Sequence, residues 1–261
     1  MSGFFIPVPF SFPAMTEPDE LLPLEDTRKD VIAKALSHMA INRKELPKTP
    51  EEWPNFLSSR LHLDPQAFLT MPDAIPPIPL PDGLERHILP FGEWTLNIWT
   101  LPANGGLVVI DTGLSPDQLI AATRGHTPAA ILITHFHRDH TGGTDAYSQV
   151  PVHDPANTRP DPQPRQIAGL EWTVLDLAGH TPDGIGWFTI YRGTPLFFPG
   201  DSIFACSIGK YRGNEQQTMH NILAAMRSLP PETIICPGHG PATTIALEWQ
   251  RNPFIAPFRR T

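Results

Sequence analysis

Residues 134–143 read Thr134-His135-Phe136-His137-Arg138-Asp139-His140-Thr141-Gly142-Gly143. His135 and His137 stand two apart, so at the end of an extended strand both side chains point to the same side. Asp139 and His140 follow at once, in a turn leading into the paired glycines. As plain core, these four groups would leave imidazoles without partners and a carboxylate desolvated. The bland alternative is a solvated polar loop. Upstream, residues 129–135 form a short apolar run typical of a strand buried on both faces.

Three further segments weigh against the bland alternative. Ala178-Gly179-His180-Thr181-Pro182, Pro199-Gly200-Asp201-Ser202 and Cys236-Pro237-Gly238-His239-Gly240 each place one metal-competent residue at a predicted strand end, among glycines and prolines. The candidate ligands are then five His and two Asp, with no Cys in a ligand-like position. That inventory suits two borderline divalent ions, Zn²⁺ first, with Fe or Mn also acceptable to nitrogen and oxygen donors.

Outward from these motifs, strands are predicted at 87–91, 94–101, 107–110, 150–153, 172–177, 186–191, 196–198 and 233–236. Helices are predicted at 115–123, capped by Ser115 with Pro116 in the first turn, and at 215–229. Strands interleaved with helices argue an α/β layered domain over residues 85–261. Residues 1–84 differ in texture and hold 14 of the 32 prolines. They read as a partly helical extension, with helices predicted at 27–41 and from Thr49-Pro50-Glu51-Glu52, then a proline-rich connector at 75–83. No catalytic constellation appears there.

The chain has 261 residues and a formal net charge of −8. An acidic surface repels a phosphate backbone, so a nucleic-acid partner is not expected. Two cysteines, Cys206 and Cys236, fit a reducing compartment. No stretch approaches the roughly 18 uninterrupted apolar residues of a membrane span. The N-terminus lacks a basic region and is broken by Pro7, Pro9 and Pro13, a poor signal peptide. The expectation is a cytoplasmic protein without a membrane partner.

On the motifs at 134–143, 178–182, 199–202 and 236–240, the chain resembles the metallo-β-lactamase superfamily across residues 85–261. Gly200-Asp201-Ser202-Ile203-Phe204, Ser207-Ile208-Gly209-Lys210 and Pro237-Gly238-His239-Gly240-Pro241-Ala242-Thr243-Thr244 look most like its glyoxalase II branch, the hydroxyacylglutathione hydrolases. The resemblance implies an αββα sandwich: two packed sheets flanked by helices. It implies that His135, His137 and His180 bind one ion, that Asp139, His140 and His239 bind a second, and that Asp201 bridges both. Asp139 and Asp201 are thereby the catalytic carboxylates. Asp111, in the Ile-Asp-Thr-Gly turn, corresponds to an early Asp that orients the ligand loop. Lys210 stands where the branch holds the glutathione carboxylate, with Tyr211 beside it.

The implied activity is hydrolysis of an acylglutathione-type thioester by a metal-bridging hydroxide. A persulfide dioxygenase using a single iron is the first alternative, and a metallo-lactonase the second. Against the lactonase, Phe204 stands where such enzymes place a Tyr after the bridging Asp. Of the other histidines, His153 is a candidate for lining the pocket, whereas His38, His62, His87, His126 and His220 read as surface or packing residues. Cys206 reads as a bystander near the site and Cys236 as a buried strand residue.

Overall fold

Strand pairing sorts the described residues into two large sheets and one two-stranded hairpin. The computed structural model describes residues 46–60, 62–71, 75–92, 94–210 and 215–259. The helix predicted at 27–41, His38 and Tyr211 lie outside them. A 3₁₀ turn at Pro50–Glu52 runs into helix α1 (Trp53–Arg60), followed by α2 (Pro65–Leu69). Strands β1 (Glu85–Phe91), β2 (Trp94–Ala103) and β3 (Gly106–Ile110) form an antiparallel meander. Helix α3 (Pro116–Ala122) crosses over to β4 (Ala130–Leu132), and a helical turn, α4 (Arg138–Thr141), precedes β5 (Val152–His153). Both β4 and β5 add in parallel, completing a five-stranded sheet of order β1-β2-β3-β4-β5.

The second sheet begins with β6 (Asp161–Ile167), β7 (Leu170–Asp176), β8 (Ile185–Tyr191) and β9 (Thr194–Gly200), paired antiparallel in sequence. A small hairpin of β10 (Ile203–Phe204) and β11 (Ser207–Ile208) follows, then helix α5 (Glu215–Ser228). Strand β12 (Ile234–Pro237) returns parallel to β9 and pairs with β13 (Thr243–Thr244), ahead of helix α6 (Ile245–Arg251). The order is β13-β12-β9-β8-β7-β6.

Alternation along the strands builds the layers. Leu96 and Ile98 of β2 face outward with Val109 and Ile131 and meet Leu119 and Ala122 of α3. Trp99 and Leu101 face inward with Val108, Ile110 and Leu132 and meet Trp172, Trp187 and Phe198 of the other sheet. Phe197 and Ile235, on that sheet's far face, pack under Ile222, Leu223 and Met226 of α5. The result is helix, sheet, sheet, helix. Both faces of the central strands are covered, which is why they read as unbroken apolar runs.

One predicted strand is shorter than expected, and β6 was not expected at all. The strand expected over 129–135 stops at Leu132, because the Thr134 N–H bonds the Asp111 carboxylate at 2.9 Å instead of a neighbouring strand. Strand β6 was not expected, given its sequence Asp-Pro-Gln-Pro-Arg-Gln-Ile. Its prolines are tolerated because it is the sheet's edge, where a missing N–H breaks no ladder. In the N-terminal part, Trp53, Phe56, Leu57, Leu63, Phe68 and Met71 form an apolar cluster that closes over Cys206 of the β10–β11 turn. The Asp64 N–H also bonds the Pro253 carbonyl at 2.9 Å.

Below that turn lies Glu248 of α6, fully buried, its carboxyl accepting from the Cys206 N–H, the Thr243 hydroxyl and the Asn252 amide. Burial outweighs these bonds and the nearby Arg251 charge, pushing its pKa up to about 7 from near 4.5. A folded-state pKa raised in this way makes stability fall as pH climbs from about 4.5 to about 7, by about 3 kcal/mol. Glu248→Gln is therefore expected to flatten that part of the stability profile, measured by urea unfolding at stepped pH. Parallel profiles for the two proteins would contradict it.

Candidate metal centre

Strands β3, β4, β9 and β12 run parallel within their sheets, and β7 runs the same way as β9. Their carboxyl ends therefore open onto one rim of the sandwich. Asp111 follows β3, His135 to His140 follow β4, His180 follows β7, Asp201 follows β9 and His239 follows β12. Each chain exit is tight. Gly238 is packed so closely that a Cβ there would run into the Asp201 carboxylate and the His140 ring.

Two donor sets result, each with its ligand atoms within 4.8 Å of one another: His135, His137, His180 and Asp201, and Asp139, His140, Asp201 and His239. Asp201 belongs to both. In the first set, His137 Nδ1 lies 3.1 Å from His135 Nε2 and 3.0 Å from His180 Nε2, and His180 Nε2 lies 3.6 Å from Asp201 Oδ2. In the second, His140 Nε2 stands 3.4 Å from Asp139 Oδ2 and 3.3 Å from Asp201 Oδ1. His239 Nε2 stands 3.2 Å from Asp139 Oδ2 and 3.3 Å from Asp201 Oδ2. Donors arranged tetrahedrally at about 2.0–2.1 Å from a zinc ion stand about 3.3 Å apart. The spacing fits.

At three of the five rings the far side fixes which nitrogen faces inward. His140 Nδ1 donates to Asp111 Oδ2 at 2.7 Å, His180 Nδ1 to the Lys210 carbonyl at 2.6 Å, and His239 Nδ1 to the Thr95 carbonyl at 2.7 Å. With Nδ1 carrying the proton, Nε2 offers a bare lone pair to the centre. Lone pairs and carboxylate oxygens converge there, and the buried His140 Nε2 and Asp201 Oδ1 have no hydrogen-bond partner. Such a set repels itself without a cation, so the residues fit divalent ions.

Burial holds His135 and His180 below the usual imidazole pKa, the neutral state that ligation needs. At His239, burial opposes charge, but the carboxylates of Asp201 and Asp139 prevail and raise the pKa to about 9. Protons and metal thus compete for this ring. Burial works against Asp201 ionisation, yet the facing His239 and His140 hold its pKa well below the usual range.

All seven sequence-predicted ligands come together. The Lys210 side chain is exposed, while its backbone carbonyl orients His180. His153 belongs to neither donor set, and its charged neighbours are Arg165 and Asp154. His87 bonds Thr100 on β2 at 2.8 Å, and His62, His126 and His220 are exposed. Cys206 and Cys236 are free and buried. Sequence reasoning missed Asn97, whose amide bonds the Pro237 and Gly240 carbonyls at 2.9 and 2.8 Å and pins the His239 loop. Its one signal was a lone amide inside an apolar strand. Phe91 and Phe204 flank the His239 ring, with centroids 5.9 and 6.1 Å away.

Residues 91–153, which carry Asp111 and the candidate donors from His135 to His140, match the sequence profile of the metallo-β-lactamase superfamily. The chain is also 30% identical to TTHA1623, crystallised in a di-iron-bound form, covering 64% of this chain and 99% of that one at a TM-score of 0.53. It belongs to the metallo-β-lactamase superfamily. The BLEG-1 B3 metallo-β-lactamase is 27% identical over 66% of this chain and 99% of that one, with a TM-score of 0.56. A hydroxyacylglutathione hydrolase of Xanthomonas campestris pv. campestris (strain B100) is 34% identical over 156 residues, 54% of this chain. The chain spans 60% of that relative's length. No helix among the described residues is long and apolar enough to cross a membrane.

Proposed function

We propose that this chain is a dinuclear metal-dependent hydrolase of the glyoxalase II type, a cytoplasmic thioesterase for acylglutathione-like substrates. The observation that carries the reading is the pair of complete donor sets sharing Asp201. Similarity to a hydroxyacylglutathione hydrolase supports the substrate class. His135, His137, His180 and Asp201 would hold one ion, and Asp139, His140, Asp201 and His239 the other. Zn²⁺ suits both sets, and Fe or Mn would also be accepted. Such ions supply Lewis acidity and a water activated near neutral pH.

The chain's own residues do the positioning. Asp201 spans both sets, Asp139 faces His140 and His239, and the backbone anchors on His180 and His239 keep their rings from turning. A thiolate leaves readily, so cleavage of a thioester needs no strong general acid. Residues 85–261 would form the hydrolase domain. Residues 1–84 would be an extension, docked on it through α1 and α2.

The test is elemental analysis of the purified protein, then a panel of thioester, persulfide and lactone substrates. Two metals per chain and preferential thioester hydrolysis are expected. One iron per chain with oxygen uptake on glutathione persulfide would favour the dioxygenase reading, and preference for the lactone the lactonase.

Lys210 gives a finer expectation. An exposed cation meeting a substrate carboxylate contributes about 1 kcal/mol, alike in ground and transition states. Lys210→Ala should raise KM for an acylglutathione several-fold with kcat nearly unchanged. KM for a neutral short-chain thioester should not move. Equal effects on both substrates would remove Lys210 from the site.

A further inference from the structure

The β10–β11 hairpin ties two parts of the metal centre together. Its first strand leaves Asp201, and its second leads to Gly209 and Lys210, whose carbonyl orients His180. The Gly209 N–H bonds the Ser202 carbonyl at 3.3 Å, and Gly209 lies so near the Asp201 carbonyl that a Cβ would collide with it. The base of the hairpin is therefore shut.

Its tip is strained. Cys206 sits at φ 59°, a left-handed conformation disfavoured for any residue with a Cβ. Such conformations persist where the surroundings over-determine them. Here the Cys206 N–H donates to Glu248 Oε2 at 2.8 Å, and the Asn252 amide donates to the Ser207 carbonyl and to Glu248 Oε2, both at 2.9 Å. The other Glu248 oxygen accepts from the Thr243 hydroxyl at 2.7 Å, just beyond the loop that carries His239. From above, the α1–α2 cluster buries the Cys206 side chain. A buried carboxylate is a costly way to fill space, and an apolar residue would serve a purely structural core as well.

We propose that Glu248 is a positioning residue of the metal centre, locking the β10–β11 hairpin against the His239 loop so that Asp201, His180 and His239 keep their donor spacing. The proposal rests on the dinuclear reading above.

The experiment uses the full chain stripped of metal and compares wild type, Glu248→Ala, Glu248→Gln and Met226→Ala. Met226, on the buried face of α5, takes no part in this hydrogen-bond network and serves as a control for general loss of stability. Zn²⁺ affinity is measured by chelator competition, and site geometry by the visible spectrum of the Co²⁺-loaded protein. Glu248→Ala should lose at least ten-fold in Zn²⁺ affinity and change the Co²⁺ spectrum. Glu248→Gln, whose amide still accepts from Cys206 and can donate to Thr243, should stay within about three-fold of wild type, as should Met226→Ala.

If Glu248→Ala does not fold, Glu248→Asp, which draws the carboxylate back by one methylene, takes its place with the same expectation. Wild-type affinity and spectrum in the Ala or Asp variant would overturn the proposal alone, as would an equal loss in Met226→Ala. A wild-type chain that binds no Zn²⁺ would overturn the dinuclear reading and this proposal together.

Discussion

Asp201→Ala is expected to empty both metal positions at once. Every other ligand serves one donor set, whereas Asp201 presents Oδ1 to His140 and Oδ2 to His239 and His180. Its removal leaves three neutral imidazoles in one set and Asp139 with two imidazoles in the other. Charge neutralisation falls in both. Metal ions contribute several kcal/mol of transition-state stabilisation, and each 1.4 kcal/mol is tenfold, so turnover should drop by at least about a thousand-fold. By contrast, His137→Ala should weaken only the first set. The check is metal content after dialysis, together with thioester hydrolysis. Two ions per chain and near-normal turnover in Asp201→Ala would show that the two positions do not share this carboxylate.

The two donor sets were legible because their chemistry has no cheap alternative use: histidines and aspartates at strand ends, among glycines, are poor core and unusual loop. The buried strands were legible for a related reason, since β3 and β4 are covered on both faces and carry no polar interruption. Long-range consequences were not. Asn97 looks like an ordinary polar residue until the fold brings Pro237 and Gly240 beside it, more than a hundred residues away in the chain. Glu248 likewise looks like any other carboxylate in the sequence, and only the tertiary fold buries it beneath the β10–β11 turn. Strand β6 was hidden by its prolines, which are admissible only at an edge position that pairing order decides. The connector at 75–83 does read from its prolines, yet Ile78 and Leu80 also pack against the inter-sheet core, which composition does not reveal.

Asp111→Asn should disable the second donor set while leaving the backbone in place. Asp111 adopts φ 58°, a left-handed conformation that Asn tolerates as well as Asp, so no strain is added. The carboxylate accepts from the Thr134 N–H at Oδ1 (2.9 Å) and from His140 Nδ1 at Oδ2 (2.7 Å). An amide offers one oxygen where the carboxylate offers two. Whichever way it turns, an N–H is set against an N–H. If the amide nitrogen faces His140, the ring is driven to carry its proton on Nε2, which points into the centre and blocks ligation. If it faces Thr134, the strand end that delivers His135 loses its anchor. Changing a group that orients a ligating histidine costs about 10–100-fold in metal affinity. Asp111→Asn should therefore bind its second metal about 10–100-fold more weakly, with unchanged far-UV circular dichroism and a parallel loss of turnover. Stepwise Zn²⁺ titration of the metal-free protein measures it. Two binding steps of wild-type affinity would show that Asp111 does not control the His140 tautomer.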